Sequence, residues 1–185
     1  MAKTAAYGIS SVTIAEPGAN GAYPSGWTGA GTFSFKAIVK DSFQFNDSES
    51  SDNDIEVEDS NDIYASLQSS AATKGFTMDT YDLSAEAYNA LMQFTTSDGW
   101  EVAPAKTADL IKAVQVVTQS MADFPSKTFQ WAKMLIKVTR AGTLGKSGFP
   151  NLHVTFKEQM NSDASGNAIS GHRWKLTDSS SSSAA

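Results

Sequence analysis

The chain has 185 residues, of which 41% are hydrophobic and 18% charged, a size and composition that fit one domain with a single core. It contains no cysteine, which excludes disulfide scaffolds, thiol nucleophiles, cysteine-based zinc sites and iron–sulfur clusters. Its net charge of −6 argues against binding nucleic acid by phosphate neutralisation. Because no apolar run approaches the ~20 residues of a membrane span and no secretory signal is visible, we expect a soluble domain made inside the cell.

The first forty residues are predicted to form two strands separated by an arm. Residues 7–14 are β-branched and aromatic and end at Glu-Pro-Gly, which is typical of a strand. Residues 16–32 are rich in glycine and contain two prolines, which predicts an extended arm. Tyr23 and Trp27 within this arm need a surface on which to be buried. Apolar and polar residues then alternate over residues 33–40, which predicts a half-buried strand.

Residues 41–64 form a strongly acidic segment. It holds nine of the 20 acidic residues and none of the 14 lysines and arginines, so the rest of the chain is net basic. Its serine and asparagine content favours a loop, while the alternation at residues 54–58 predicts a short strand with one acidic, solvated face. A solvated loop is the simplest interpretation of a charge run. However, the segment is longer than a usual hairpin connection of about 2–5 residues, and apolar residues flank it closely.

One helix is predicted at about residues 84–95. Ser84 is placed to cap its N-terminus, and Glu86 in the first turn complements the helix dipole. An apolar stripe with helical spacing consists of Leu83, Ala87, Leu91 and Phe94. The run Ser-Asp-Gly at residues 97–99 is expected to end the helix.

The second half of the chain is predicted to be mostly strands. Residues 76–79 and 152–157 alternate with period 2, and residues 129–139 form a longer strand whose apolar phase shifts midway, which predicts a bulge or burial on both faces. Residues 110–118 fit a helix or a strand, and their β-branched density favours the strand. About seven or eight strands and one flanking helix predict a mainly β protein, a β-sandwich or barrel.

No sequence pattern indicates catalysis. Residues 142–147 resemble a phosphate-binding loop but have only two of the four residues needed before the Gly-Lys pair, so they are predicted to form a hairpin turn. Residues 52–57 resemble the start of a calcium loop, but Val57 stands where glycine is required. His153 and His172 lack partners in a zinc or triad pattern. We therefore predict no enzyme and no catalytic, metal-binding or cofactor-binding residues.

The order of the elements carries the strongest functional signal. The segments concerned are the aromatic arm at 23–27, the runs at 40–47 and 54–59, the strand at 74–78, the helix at 83–94 and the turn at 148–152. Over roughly residues 7–176 this order resembles the major tail tube protein of long-tailed bacteriophages, a family related to type VI secretion tube subunits. The resemblance implies a β-sandwich or barrel flanked by a helix, whose copies form typically hexameric rings that stack into a DNA-carrying tube.

The resemblance also implies a location, partners and interface residues. It implies a structural virion protein of the tail, made in the host bacterial cytoplasm. Its partners would be copies of itself and, by analogy, tape-measure, terminator and baseplate or tip proteins, with DNA passing through unbound and no membrane contact. Residues 1–178 would form one domain, and the low-complexity residues 179–185 a disordered tail. The expected interface residues are Tyr23, Trp27, Phe43, Phe45, Asp54, Ile55, Glu56, Val57, Glu58 and Asp59.

Two other hypotheses stay open. The chain could be a β-sandwich module that binds carbohydrate or another surface ligand, because aromatic faces stack on sugars. The tryptophans available for this are Trp27, Trp100, Trp131 and Trp174. Burial in the core or in a subunit interface is the simpler interpretation of these side chains. A different virion or secretion-tube component with the same fold is the third hypothesis, because a fold does not fix a role.

Overall fold

The computed structural model describes residues 7–57, 60–121, 124–146 and 148–177, and of residues 7, 56, 57, 60–64 and 177 it describes the backbone alone. The predicted interface residues Glu58 and Asp59 and the tail at 179–185 lie outside the described residues. The elements in chain order are β1 (Tyr7–Ala15), a 3₁₀ turn (Ala19–Gly21), β2 (Phe33–Ser34), β3 (Gln44–Phe45), β4 (Ser51–Val57), β5 (Ser60–Ser70), β6 (Gly75–Thr80), α1 (Ala85–Met92), β7 (Thr95–Ser97), β8 (Trp100–Val102), β9 (Leu110–Gln119), β10 (Ser126–Ala141), β11 (Asn151–Glu158) and β12 (His172–Thr177).

Eight strands form one antiparallel sheet, and β4–β5 and β7–β8 form separate hairpins. The sheet order is β2-β1-β9-β10-β11-β6-β3, and the long strand β10 pairs on one side with β12 along its first half and with β11 along its second half. The chain is thus mainly β with a single helix in the described residues, which confirms the predicted β-sandwich with one flanking helix. The described strands number twelve, more than the seven or eight predicted.

The segment after β2 brings the two sides of the sheet together. β2 pairs with β1 at one end of the sheet, yet the residues that follow it bond to β6 near the other end. The Val39 N–H donates to the Asp79 carbonyl at 2.9 Å, and the Tyr81 N–H donates to the Ala37 carbonyl at 3.0 Å. The sheet therefore curls over its own core.

Aromatic rings fill the centre of that core. The Phe76 ring is fully buried and stacks on Phe156 at 4.3 Å and on Phe43 at 4.7 Å between centroids. Trp131 on β10 lies 5.1 Å from Phe76, and Phe35 on the crossing segment contacts Phe156 edge-on at 5.9 Å. The Phe76–Trp131 and Phe35–Phe156 contacts join parts of the chain that are not neighbours in the sheet, so the rings hold the curled sheet closed.

Several sequence predictions are confirmed by the strands. Residues 110–118 lie in β9, as their β-branched density indicated. The register between β9 and β10 shifts between Trp131 and Met134, which is the predicted bulge, and the adjacent Trp131 and Ala132 are both buried. Residues 142–150 connect β10 to β11 in a hairpin, with Ala141 opposite Asn151. A chain that turns back in this way does not start the helix that a phosphate-binding loop requires.

The helix begins where expected but ends early. The Ala87 N–H donates to the Ser84 hydroxyl at 3.3 Å, so Ser84 is the N-cap. The helix ends at Met92, because Gln93 adopts a left-handed conformation with φ 58° and its side-chain amide bonds both backbone groups of Ala108 at 2.8 and 3.2 Å. The predicted end at residues 97–99 was wrong, since this run lies at the turn of the β7–β8 hairpin.

The predicted strand over residues 33–40 is also shorter than expected. Regular pairing with β1 stops after Ser34, and Ala37 has a positive φ of 48°. This conformation turns the chain from one side of the sheet to the other, which alternation of side chains does not reveal.

We expect the Phe76 ring at the centre of the core to contribute a large part of the free energy of unfolding. Replacing Phe76 by alanine removes contacts with rings on three other elements and should lower the free energy of unfolding by about 3–5 kcal/mol. Phe149→Ala is the matched control, because the Phe149 side chain is exposed, and should cost less than about 1 kcal/mol. Denaturant unfolding measures both, and equal losses would contradict this description of the core.

Candidate subunit interface

The acidic segment contains a long hairpin rather than only a loop with a short strand. β4 and β5 pair from Ser51 opposite Ser70 to Val57 opposite Ser60, so the hairpin extends beyond residue 64. Among the described residues, neither strand pairs with any strand of the eight-stranded sheet. Serine hydroxyls bond across the base of the hairpin, with Ser51 within 2.9 Å of Ser69 and 2.7 Å of Ser70. The hairpin is therefore held by its own bonds.

The two faces of this hairpin differ in chemistry. Ile55 lies opposite Ala65 and Asn53 opposite Leu67, which gives one largely apolar face. Asp54 lies opposite Ser66, whose hydroxyl donates to the Asp54 carboxylate, and Asp52 lies opposite Gln68 on the acidic face. Ile55 is 40% exposed and Leu67 57% exposed. An apolar face left in water in the single chain is typical of a surface that another molecule covers.

Phe43 and Phe45 stand at the rim of the sheet beside a cleft of about 640 Å³. Phe43 is half-buried and belongs mainly to the core, because its ring stacks on Phe76. Phe45 on the short edge strand β3 is 55% exposed and contacts Phe129 at 6.1 Å. Of the two predicted interface phenylalanines, Phe45 is thus the more accessible.

The first half of the glycine-rich arm packs on its own chain. The Asn161 side chain donates to the Gly21 carbonyl at 2.9 Å, and a Cβ at Gly21 would lie only 2.6 Å from the Ser162 carbonyl oxygen. The Arg173 guanidinium lies 3.8 Å from the centre of the Tyr23 ring, and Trp27 further along is half-buried. Residues 21–23 therefore do not need a neighbouring subunit to be ordered, although Tyr23 and Trp27 remain predicted interface residues.

The Tyr23 hydroxyl occupies an unusual environment for a surface arm. It is buried and has no hydrogen-bond partner among the described residues. One carboxylate oxygen of Glu158 is likewise buried without a partner there. Burial raises the pKa of the Tyr23 phenol, and the Glu158 charge adds to this, while the Arg173 charge opposes it. The other Glu158 oxygen lies 3.1 Å from Nδ1 of His172. The arm thus rests on a small cluster of charged groups.

Each of the two histidines pairs with one carboxylate. His153 Nδ1 lies 2.6 Å from the Asp79 carboxylate on the adjacent strand, and His172 pairs with Glu158. No group of three or more His, Asp or Glu residues in the described part of the chain could hold a metal ion. The described residues also include no helix long and apolar enough to cross a membrane.

The four tryptophans fall into two groups. Trp131 is buried in the core, as the simpler interpretation predicted, and Trp27 is half-buried. Trp100 on the β7–β8 hairpin is 75% exposed and Trp174 on β12 is 59% exposed. Sequence reasoning did not predict β12, although the alternation of His172, Trp174 and Leu176 with basic residues was a strand signal.

Comparison with known proteins assigns no family. No protein-family model matches the chain, and no curated protein matches it significantly. The function must therefore be argued from the residues and from the geometry of the chain.

We predict that Tyr23 gives the protein a measurable pH dependence in the alkaline range. Because its pKa is raised, the folded chain holds the phenol proton more tightly than the unfolded chain. This stabilisation is complete below the usual phenol pKa of about 10 and is lost as the pH rises through the folded value. Chemical unfolding between about pH 9 and 12 should show a steeper loss for the wild type than for Tyr23→Phe.

Tyr81→Phe is the matched control, because its side chain is exposed, and its stability should follow the wild-type curve. At neutral pH we expect Tyr23→Phe to change the free energy of unfolding by less than about 1 kcal/mol, because the hydroxyl has no partner to lose. Identical alkaline curves for Tyr23→Phe and the wild type would contradict the buried placement of this phenol.

Proposed function

We propose that the chain is a structural subunit of a phage tail tube, whose copies assemble into stacked rings, hexameric by analogy with the family it resembles, around a channel for DNA. The observation that carries the proposal is the β4–β5 hairpin, which pairs only with itself among the described residues and leaves Ile55 and Leu67 exposed. Burial of apolar surface stabilises a contact by about 25 cal/mol per Å². A second copy that covers this face would gain that energy.

The difference in net charge between the acidic segment 41–64 and the rest of the chain supports assembly between copies. The acidic segment 41–64 includes the hairpin residues Asp52 and Asp54, and the chain outside this segment is net basic. Complementary charges on two different surfaces of one molecule favour head-to-tail contacts, which close into rings or propagate as filaments. Both outcomes are needed in a tube, within each ring and between rings.

The overall charge suits a channel that DNA must traverse. A basic wall would bind phosphates and slow transit, whereas an acidic or neutral wall does not. The net charge of −6 is compatible with this requirement. The partners implied are further copies of this chain and the other tail proteins, with DNA passing through rather than bound.

Electron microscopy and mass measurement of concentrated protein test the proposal directly. We expect rings or tubes whose abundance rises with protein concentration. A strict monomer across salt and concentration would contradict the proposal.

The exposed tryptophans support a second candidate, a module that binds carbohydrate or another surface ligand. Trp174 borders a cleft of about 310 Å³ together with Gln130 and Arg173, and Trp100 is exposed on a separate hairpin. Sugar binding uses such exposed rings together with polar side chains. Trp100→Ala and Trp174→Ala separate the two functions, because the ligand-binding module would lose ligand retention without a change in oligomer size.

We predict that the hairpin charges are needed for assembly but not for folding. Replacing Asp54, Glu56 and Glu58 by Asn, Gln and Gln should leave the folded monomer intact and shorten or abolish tubes, because it removes the attraction to a basic surface. Electron microscopy and sedimentation measure assembly, and circular dichroism measures folding.

The matched control removes three acids elsewhere, with Asp98, Glu101 and Asp109 replaced by Asn, Gln and Asn. Raising the salt should weaken wild-type assembly in the same direction, because exposed charges are screened over ~10 Å at 0.1 M salt. If the hairpin variant forms tubes of unchanged length and yield, these charges are merely solvated.

A further inference from the structure

Two strands of opposite charge present long edges that no other described strand covers. β12, with six residues, pairs on one side with β10, and β4, with seven residues, pairs on one side with β5. By contrast, the end strands β2 and β3 of the large sheet have two residues each. An uncovered edge can pair with a further strand, and a very short one is a poor template.

β12 separates basic from apolar side chains. Arg173 and Lys175 lie on one face, opposite Gln130 and Thr128 of β10, and Trp174 and Leu176 lie on the other face. Trp174 is 59% exposed, with Lys127 of β10 5.1 Å from its ring centre. In the described residues Lys175 has no ion-pair partner. Lys175 is thus available to an acidic partner, whereas Arg173 already donates through Nε to the Gln130 side-chain carbonyl at 2.8 Å and lies over the Tyr23 ring.

Among the described residues, no strand pairs with the outer side of β12, where the Ser170 hydroxyl donates to the His172 carbonyl at 2.9 Å. The Ala132 N–H donates to the Gly171 carbonyl at 2.8 Å, so this is a hydrogen-bonded pair of the β10–β12 ladder. Because such pairs alternate in antiparallel sheets, Arg173 and Lys175 direct their backbone groups toward β10. The N–H and C=O groups of Trp174 and Leu176 then stand at the outer edge, where an added strand would bond.

β4 has the complementary arrangement. Asp52 and Asp54 share one face, and Ile55 shares the other with Leu67 of β5. When a strand is added to a sheet, side chains of like orientation become neighbours at ~4.5–5.5 Å between Cβ atoms. Placed beside β12, β4 would set its two carboxylates next to Arg173 and Lys175 and would set Ile55 next to the exposed Trp174 and Leu176.

We propose that β4 of one copy adds to the free edge of β12 of a second copy. This inference rests on the proposed self-assembly and names the two surfaces that meet. The occupant is a second copy because the acidic β4 and the basic β12 belong to the same chain yet do not pair within it. Each copy offers one donor edge and one different acceptor edge, so the contact repeats from copy to copy.

A charge exchange tests the contact. Asp54→Lys and Lys175→Glu should each raise the concentration needed for assembly at least tenfold, because each places like charges side by side. An equimolar mixture should assemble again, since each variant then meets a partner of opposite charge. Asp109→Lys and Lys137→Glu are matched controls on other exposed positions and should assemble like the wild type. Failure of the mixture to recover would overturn the proposed contact.

Cross-linking gives a second test that does not depend on charge. The chain has no cysteine, so single-cysteine variants give unambiguous products. Asp52→Cys or Asp54→Cys mixed with Lys175→Cys should form a disulfide-linked dimer under a mild oxidant, and Lys137→Cys in place of Lys175→Cys should not. Circular dichroism of each variant confirms that it is folded.

The outcomes separate this inference from the proposed function. If the wild type assembles but neither aspartate position cross-links to position 175, β12 is not the acceptor and the tube proposal survives. If the wild type stays monomeric at every concentration, both are wrong. Cross-linking together with recovery of the mixed variants supports both.

Discussion

The crossing of the chain from β2 to β6 is the constraint on which the rest of the structure depends. Phe35 and Phe43 lie on this crossing, and their rings pack on Phe156 and Phe76 while the backbone around Val39 bonds to the β6 edge. The same segment therefore closes the core and occupies the edge of β6. The strands at the two ends of the sheet, β2 and β3, have only two residues each, so little strand edge is left open at either end.

The curled eight-stranded sheet closes around its own core, so the β4–β5 hairpin is not needed for this closure. The core rings lie on β2, β6, β10, β11 and the crossing segment between β2 and β3, and none of the buried core residues comes from β4 or β5 among the described residues. The described side chains of the hairpin thus add little to the buried core. A segment that contributes no residues to the core can contain acidic residues, serines and exposed apolar side chains with little loss in the free energy of folding.

The regular strands were predictable and the departures from regularity were not. β6, β9 and β11 follow from alternation and β-branched density, because their buried faces need apolar residues at every second position. The helix end depends on bonds between Gln93 and Ala108, fifteen residues away, and no local pattern reports such a contact. The hairpin was underestimated because hydroxyl and carboxylate bonds between its strands replace the β-branched side chains that mark a strand. The proposed interface was suggested by the charge distribution in the sequence, but the proposed partner edge could be named only from the register of β12.

A surface and its complement on the same chain raise the question of why they do not bind each other within one copy. The acidic strand β4 is fixed through β5 and the adjoining residue pair Ser48–Thr73, which bond backbone to backbone at 2.8 and 3.0 Å and tie the hairpin base near β6. The basic strand β12 is fixed to β10, which is separated from β6 by β11 in the sheet order. Each strand is thus anchored to a different partner, and β4 does not pair with β12 among the described residues of one copy. The proposed pairing between copies uses the edges of β4 and β12 that these anchors leave uncovered among the described residues.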